Sequence, residues 1–172
     1  EIIKKYADNY PKIIKHIIPA KNIYSQGIQP GINAFSFSNG KYIALCEGDD
    51  YWIDPYKLQK QVDFLEQNKG YGLVRTNFDA FYQKSNRYQK NFLGSRPIKD
   101  TFIDYLENAW FAGTCTWLFR SVYIEDIYSF PKFNIGDYPL ILNISAQSKI
   151  KCLECTTSVY RILENSASHH SS

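Results

Sequence analysis

Strand-like and helix-like segments alternate along this sequence, which restricts it to a small group of folds. Continuous apolar runs predict buried strands, and stripes of apolar residues at helical spacing lie between them. This alternation is typical of an α/β fold with a mixed, mostly parallel sheet flanked by helices. The predicted strands are 13–20, 41–46, 71–82, 115–120 and 149–161, and the predicted helices are 2–10, 32–37, 55–65, 102–108, 121–129 and 137–147.

Two of these segments carry more detailed expectations. Asp54 is expected to cap the helix that starts near Pro55, and Leu58, Val62 and Leu65 form the apolar stripe expected to face the core. Residues 83–99 are polar, basic and rich in turn-forming residues, so they predict a long loop.

Composition narrows the possible partners of the 172 residues. A net charge of +3, with scattered lysines, argues against a nucleic-acid partner. No apolar run approaches the roughly 20 residues of a membrane span. The four cysteines lack the spacing of a disulfide framework, which favours a reducing compartment. Aromatic residues make up 16% of the chain, and they suit either a sugar- or base-binding surface or an aromatic-rich core.

An acidic cluster follows directly after the predicted strand 41–46. Glu47, Asp49 and Asp50 fall within four residues, where carboxylates repel one another unless a cation or hydrogen-bond donors compensate. In open α/β sheets, ligands bind beyond the carboxyl ends of the strands. The cluster therefore suits Mg²⁺ or Mn²⁺ together with substrate phosphates. Taken by itself, the acidic triplet favours the simpler interpretation of a strand-to-helix turn in which the acids only bind backbone N–H groups.

The stretch around the cluster, GKYIALCEGDDYWIDPYKLQKQVDFLEQN, resembles the metal-binding strand and following helix of bacterial family 2 glycosyltransferases, which have the GT-A fold. The family's Asp-x-Asp motif aligns with Glu47-Gly48-Asp49, and Asp50 follows it. The resemblance implies that Asp49 binds a divalent ion, Mn²⁺ or Mg²⁺. It also implies that Glu47 contacts the ribose or sugar of the donor, although Glu47 departs from the more common Asp. Asp50 and Trp52 are assigned to the same substrate site.

Two residues in the second half of the chain complete the implied site. Asp137 matches the acid that serves as general base in the family, which is needed because a sugar hydroxyl is a poor nucleophile until it loses its proton. Arg161, in a Tyr-Arg pair at the end of a predicted strand, would offset the charge of the pyrophosphate. Considered without the resemblance, Asp137 also fits the N-cap of a helix, and Arg161 also fits an ordinary surface arginine. Gly136 and Leu163 replace an acid and a histidine that are frequent in the family.

The resemblance implies that residues 1–172 are a single catalytic-domain fragment that lacks its first βα units. The implied reaction is inverting transfer of a sugar from a nucleoside-diphosphate sugar to a hydroxyl of a glycan or lipid-linked acceptor. The expected location is the cytoplasm, and association with the inner face of the membrane is left open. Two alternatives remain: a nucleotide-sugar or carbohydrate-binding module without catalytic activity, and a metal-dependent phosphohydrolase.

Overall fold

The computed structural model describes residues 1–21, 23, 30–94, 99–108, 113–125 and 137–164. The chain divides into two compact units, residues 1–38 and residues 39–172, which are described separately. No helix in the described ranges is long and apolar enough to cross a membrane.

The first unit contains two helices, α1 (Ile2–Asn9) and α2 (Pro30–Phe35), near the predicted positions. The rings of Tyr6 and Tyr10 stack with their centroids 6.5 Å apart, as their helical spacing allows. The predicted strand 13–20 is wrong, because this segment has no regular secondary structure. A strand needs a partner for its backbone hydrogen bonds, and an apolar run by itself does not reveal whether one exists.

A six-stranded sheet forms the centre of the second unit, with its strands in the order β1-β5-β3-β6-β2 and β4 paired to β3. Residues 83–99 are therefore not a loop throughout, because a tight turn folds β4 back onto β3. The strands are β1 (Tyr42–Ala44), β2 (Tyr51–Trp52), β3 (Tyr71–Tyr82), β4 (Arg87–Gln89), β5 (Leu118–Arg120) and β6 (Lys149–Ile162), and the helices are α3 (Lys57–Gln67), α4 (Phe102–Glu107) and α5 (Asp137–Gln147), with 3₁₀ turns at Thr114–Thr116 and Ser121–Ile124.

The sheet is mixed, as predicted, but it is not mostly parallel. Among the strands of the described residues, only the β3–β6 pairing is parallel, and the pairings β1–β5, β3–β5, β3–β4 and β2–β6 are antiparallel. The strands β1, β3 and β6 do run in one direction, which is the order that helical crossovers produce. The error arises because β5 inserts antiparallel between β1 and β3, and local sequence patterns carry no information about that insertion.

Both faces of β3 are covered, since its residues are buried without interruption from Gly72 to Ala80. On one face α3 contributes Leu65, which packs with Val74 and Leu118. The predicted stripe of α3 is only partly correct, because Leu58 is 39% exposed whereas Lys57, Gln61 and Leu65 are buried.

The start of α3 also differs from the prediction. Asp54 does not cap the helix, whose N-cap is Tyr56 without a side-chain bond. Instead the Oδ1 of Asp54 accepts the N–H of Tyr56 at 2.8 Å, and its Oδ2 pairs with Lys60. Asp54 therefore shapes the turn that leads into the helix. By contrast, Thr101 and Asp104 form a complete capping box at the start of α4.

Candidate active site

The acid loop, residues 45–50, connects two strands that lie at opposite edges of the sheet. β1 and β2 are the first and last strands in the order, although only these six residues separate them. Within the loop, the N–H of Asp50 donates to the carbonyl of Glu47 at 3.1 Å and closes a tight turn. The pairing of β2 with β6 anchors the far end. The loop therefore crosses the end of the sheet and places three carboxylates there.

The carboxylate of Asp50 interacts with Arg161 and with Cys115. Its Oδ1 accepts the backbone N–H of Arg161 at 2.8 Å, while its Oδ2 is buried without a hydrogen-bond partner among the described residues. Burial raises the pKa of the Asp50 carboxyl, and the donors from Arg161 and Cys115 oppose this rise. The protein thus buries a carboxylate oxygen and leaves its hydrogen-bonding capacity incompletely satisfied.

Glu47 and Asp137 come close together from distant parts of the chain. Partial loss of hydration at the carboxylate is the main cause of the raised pKa of Glu47, although the residue as a whole is exposed, and the hydroxyl of Thr114 opposes the rise by hydrogen bonding to the carboxylate. The carboxylates of Asp50 and Asp137 raise the pKa of Glu47 further by repulsion. Asp137 is exposed at the first residue of α5, where its Oδ1 accepts the N–H of Tyr138 at 3.0 Å. The structure therefore brings the predicted base to the acid loop.

Arg161 contacts the acid loop directly. Its Nε donates to the backbone carbonyl of Asp49 at 2.7 Å, and its Nη1 donates to Gln83 at 3.3 Å. The guanidinium also lies over the ring of Phe81, 5.7 Å from the ring centroid. With the bond from its N–H to Asp50, Arg161 ties the loop to the end of β6.

Trp52 follows the acid loop in β2 and is fixed at one edge. Its Nε1 donates to the carbonyl of Cys115 at 2.9 Å, and the Nζ of Lys57 lies 4.6 Å from its ring centroid. The side chain is still 37% exposed. Part of a firmly held aromatic surface is therefore accessible two residues after Asp50.

The acid loop has the ligands that Mg²⁺ or Mn²⁺ would need. The side chain of Asp49 is exposed, and the Oδ2 of Asp50 has no protein partner in the described ranges. No three His, Cys, Asp or Glu side chains in those ranges form a complete metal site. Mg²⁺ commonly binds one or two carboxylates and takes its remaining ligands from water and substrate phosphates. The residues therefore fit an ion that is bound together with a phosphorylated substrate.

The acids, Trp52 and Arg161 were selected from the sequence as members of one site. The residues that hydrogen-bond to them or pack against them were not predicted. The predicted strand 115–120 begins at Cys115, whereas Thr114 and Cys115 lie in a 3₁₀ turn in the structure, so their contact with the acid loop was not foreseen. Lys57 and Gln61 were not included in the apolar stripe predicted for this helix. Gln61 lies four residues from both Lys57 and Leu65, and this spacing was the available signal that the three residues share one buried stripe. Gly136 lies outside the described residues.

The profile of glycosyl transferase family 2 matches residues 1–127, a range that includes the acid loop and ends before Asp137. Two Escherichia coli proteins, each a UDP-Glc:alpha-D-GlcNAc-diphosphoundecaprenol beta-1,3-glucosyltransferase, are similar to the chain. WfaP is 30% identical over 98% of this chain and 62% of its own length, and WfgD is 27% identical over 86% of this chain and 56% of its own length. The chain thus spans less than two thirds of either relative.

The fold is also similar to that of a solved structure. The crystal structure of Staphylococcus aureus TarS in complex with UDP-GlcNAc superposes with a TM-score of 0.67. The similarity covers 100% of this chain and 49% of TarS, at 13% sequence identity. At this identity the likeness establishes the GT-A fold and nothing about the ligand.

Proposed function

The chain belongs to glycosyltransferase family 2, and on this basis we propose that it is the catalytic part of an inverting, metal-dependent enzyme. The enzyme transfers a sugar from a nucleoside-diphosphate sugar to a hydroxyl of a glycan or lipid-linked acceptor. The observation that supports the proposal is that Asp137, at the first residue of α5, lies near enough to the acid loop for its charge to act on Glu47, although desolvation and Asp50 affect the pKa of Glu47 more strongly. A donor-binding loop and an acid at the start of a helix thereby share one site.

Residues 1–172 provide the acids that the proposed donor site needs. Asp49 and the Oδ2 of Asp50 are the groups that would hold Mn²⁺ or Mg²⁺. When bound, the ion would neutralise charge on the diphosphate leaving group. Glu47 is the candidate for contact with the ribose or sugar, and Trp52 offers an accessible aromatic surface beside them.

Arg161 serves the donor in two ways in this proposal. Its contacts with the backbone of Asp49 and the side chain of Asp50 keep the loop in place. Its guanidinium also puts a permanent positive charge next to the loop, which favours a diphosphate. Substitution of Arg161 should therefore weaken donor binding by more than the loss of a single hydrogen bond would.

Asp137 is the proposed general base. It removes the proton from the acceptor hydroxyl while that oxygen forms a bond to the anomeric carbon of the donor. The bond between this carbon and the diphosphate oxygen breaks on the opposite face, so the configuration at the carbon is inverted. The acceptor must therefore approach from the side of the loop where α5 begins.

The comparisons favour a particular class of donor and acceptor. WfaP and WfgD bear names that specify UDP-glucose and a diphosphoundecaprenol-linked sugar, and TarS was crystallised with UDP-GlcNAc. We therefore take a UDP-sugar and a polyprenyl-diphosphate-linked sugar as the first substrates to test. A lipid-linked acceptor would place the enzyme in the cytoplasm at the inner face of the membrane.

The test is a transfer assay on the full-length protein, with a panel of UDP-sugars, a polyprenyl-linked sugar acceptor, and Mn²⁺ or a chelator. Transfer that requires the ion and inverts the anomeric centre is expected. Asp137→Asn should lower turnover by about 100-fold or more, because general-base catalysis typically contributes 10²–10⁴-fold. Asp63→Asn is the matched control, because Asp63 is an exposed acid of α3 whose side chain accepts a hydrogen bond from Gln59, outside the acid loop.

Three outcomes would contradict parts of the proposal. Undiminished transfer by Asp137→Asn would refute the assignment of the base. UDP-sugar binding without transfer to any acceptor would favour a binding module that has lost catalysis. Rapid release of sugar or phosphate from the donor in the absence of acceptor would favour a phosphohydrolase.

A further inference from the structure

Lys57 is a buried ammonium group at the start of α3. Only 1% of the residue is exposed, and none of the ion pairs among the described residues includes it. Its Nζ donates to the Oε1 of Gln61 at 2.9 Å and lies 4.6 Å from the centroid of the Trp52 ring. Burying a lysine without a carboxylate partner is costly, and a methionine of similar length would fill the space at lower cost. The charge itself therefore calls for an explanation.

The contacts of Lys57 and Gln61 lead to the acid loop. The Nε2 of Gln61 donates to two backbone carbonyls, those of Val74 at 2.9 Å and Thr116 at 2.8 Å, and so joins α3 to β3 and to the 3₁₀ turn. This turn also carries Cys115, whose carbonyl accepts the indole N–H of Trp52. The Trp52 ring is thus fixed by the turn at its edge and by the ammonium over its face.

We propose that Lys57 is a positioning residue of the donor site. Its ammonium holds the Trp52 ring, and the position of Trp52 in β2 fixes the end of the acid loop two residues earlier. Trp52 cannot turn without breaking either the cation–π contact or the bond to Cys115. The inference rests on the proposed function, because it assigns Lys57 to the same donor site without direct contact with substrate.

The charge of Lys57 is sensitive to pH in a useful range. Burial lowers the pKa of Lys57 to about 8, while the thiols of Cys46, Cys115 and Cys155 oppose the shift. Trp52 and Gln61 are the other groups that face the ammonium. Above pH 8 the neutral amine loses its attraction for the ring, and donor binding should weaken. The lowered pKa has the opposite effect on folding, because the unfolded chain keeps the proton and stability therefore rises between about pH 8 and 10.

The experiment compares Lys57→Met with Lys60→Met in the full-length protein. Lys60 lies on the same helix, is exposed and pairs with Asp54, so it matches the chemical change without touching Trp52. Binding of UDP with Mn²⁺ is measured by calorimetry at pH 7 and pH 9, and thermal unfolding is recorded in parallel. We expect Lys57→Met to bind UDP about tenfold more weakly at pH 7. It should lose the pH dependence above 8 and unfold at an equal or higher temperature, whereas Lys60→Met should behave like the unaltered protein.

A second readout needs neither a variant nor a donor. The indole N–H resonance of Trp52 should titrate with a midpoint near pH 8 in the unaltered protein, because it senses the ammonium over the ring. Absence of this titration, or UDP binding by Lys57→Met equal to that of the unaltered protein, would overturn the inference. Weaker binding together with a lower unfolding temperature would reduce Lys57 to a structural role and would also overturn it. If the unaltered protein bound no UDP, the proposed function itself would fail, while the Trp52 titration would still test the contact.

Discussion

The buried pair Arg75–Asp100 offers the sharpest test of the fold. Arg75 lies in β3 and is fully buried, and it binds the carboxylate of Asp100 through Nε at 2.5 Å and Nη2 at 3.0 Å. The hydroxyl of Tyr105, in α4, donates to the same carboxylate. The pair raises the pKa of the guanidinium, so Arg75 stays charged at every accessible pH. One carboxylate thus joins β3 to the start of α4.

Asp100→Asn keeps the shape of this carboxylate and removes its charge. The buried guanidinium would then lose the negative charge of Asp100, and breaking a buried pair from one side typically costs about 3–5 kcal/mol. For a protein of this size, each kcal/mol lowers the melting temperature by about 2–4 °C, so a decrease of roughly 6–20 °C is expected. The assay is chemical denaturation together with calorimetry on the full-length protein.

Two controls separate the ion pair from the general effect of a substitution. Lys69→Ala removes one partner of the exposed pair Lys69–Glu66 and should cost less than about 1 kcal/mol. The double variant Arg75→Met with Asp100→Leu replaces both charges with apolar groups and should be clearly more stable than Asp100→Asn. A loss below about 1 kcal/mol in Asp100→Asn, or a double variant that is less stable still, would refute the argument that the unpaired charge carries the cost.

Three further predictions concern the helix cap, the acid loop and its pH dependence. Thr101→Ala removes the capping box of α4 and should lower the free energy of unfolding by about 1 kcal/mol, and an unchanged denaturation midpoint would contradict this. Arg161→Met should weaken UDP binding with little change in melting temperature, whereas unaltered affinity in calorimetry would show that the loop does not need it. Because burial raises the pKa of Asp50, Mn²⁺ binding should weaken on acidification at a higher pH than for an ordinary aspartate, and a titration at fixed Mn²⁺ that finds the loss only at the usual aspartate pKa would contradict this.

Local patterns in the sequence were sufficient for the elements that are long and periodic. The strand Tyr71–Tyr82 was predicted with the bounds that the structure shows, and the helix beginning at Asp137 was also confirmed. A long run of strand-forming residues and a polar residue at the start of a helix are both visible in the local sequence. The strand order was not accessible in this way. β5 has only three residues, and its antiparallel place between β1 and β3 depends on contacts between distant segments.

The candidate site shows the same division. The acidic cluster was recognisable because three carboxylates in four residues are electrostatically costly wherever they fold. Their surroundings were not recognisable, because Thr114 and Cys115 reach the loop through a 3₁₀ turn at the point where a strand was predicted to begin. Lys57 illustrates the physical limit, since a lysine at a helix start is normally solvated and only the tertiary structure buries it.

The acid loop joins the first and last strands of the sheet order, so the position of its carboxylates depends on how those two strands are held. The carbonyl of Cys115, in the turn before β5, accepts both the indole N–H of Trp52 in β2 and the hydroxyl of Ser158 in β6. One backbone carbonyl thus links β2 and β6 to the segment that leads into β5. A core substitution which moves β5 would therefore displace the end of the acid loop, so the packing of the sheet and the position of the acids must vary together.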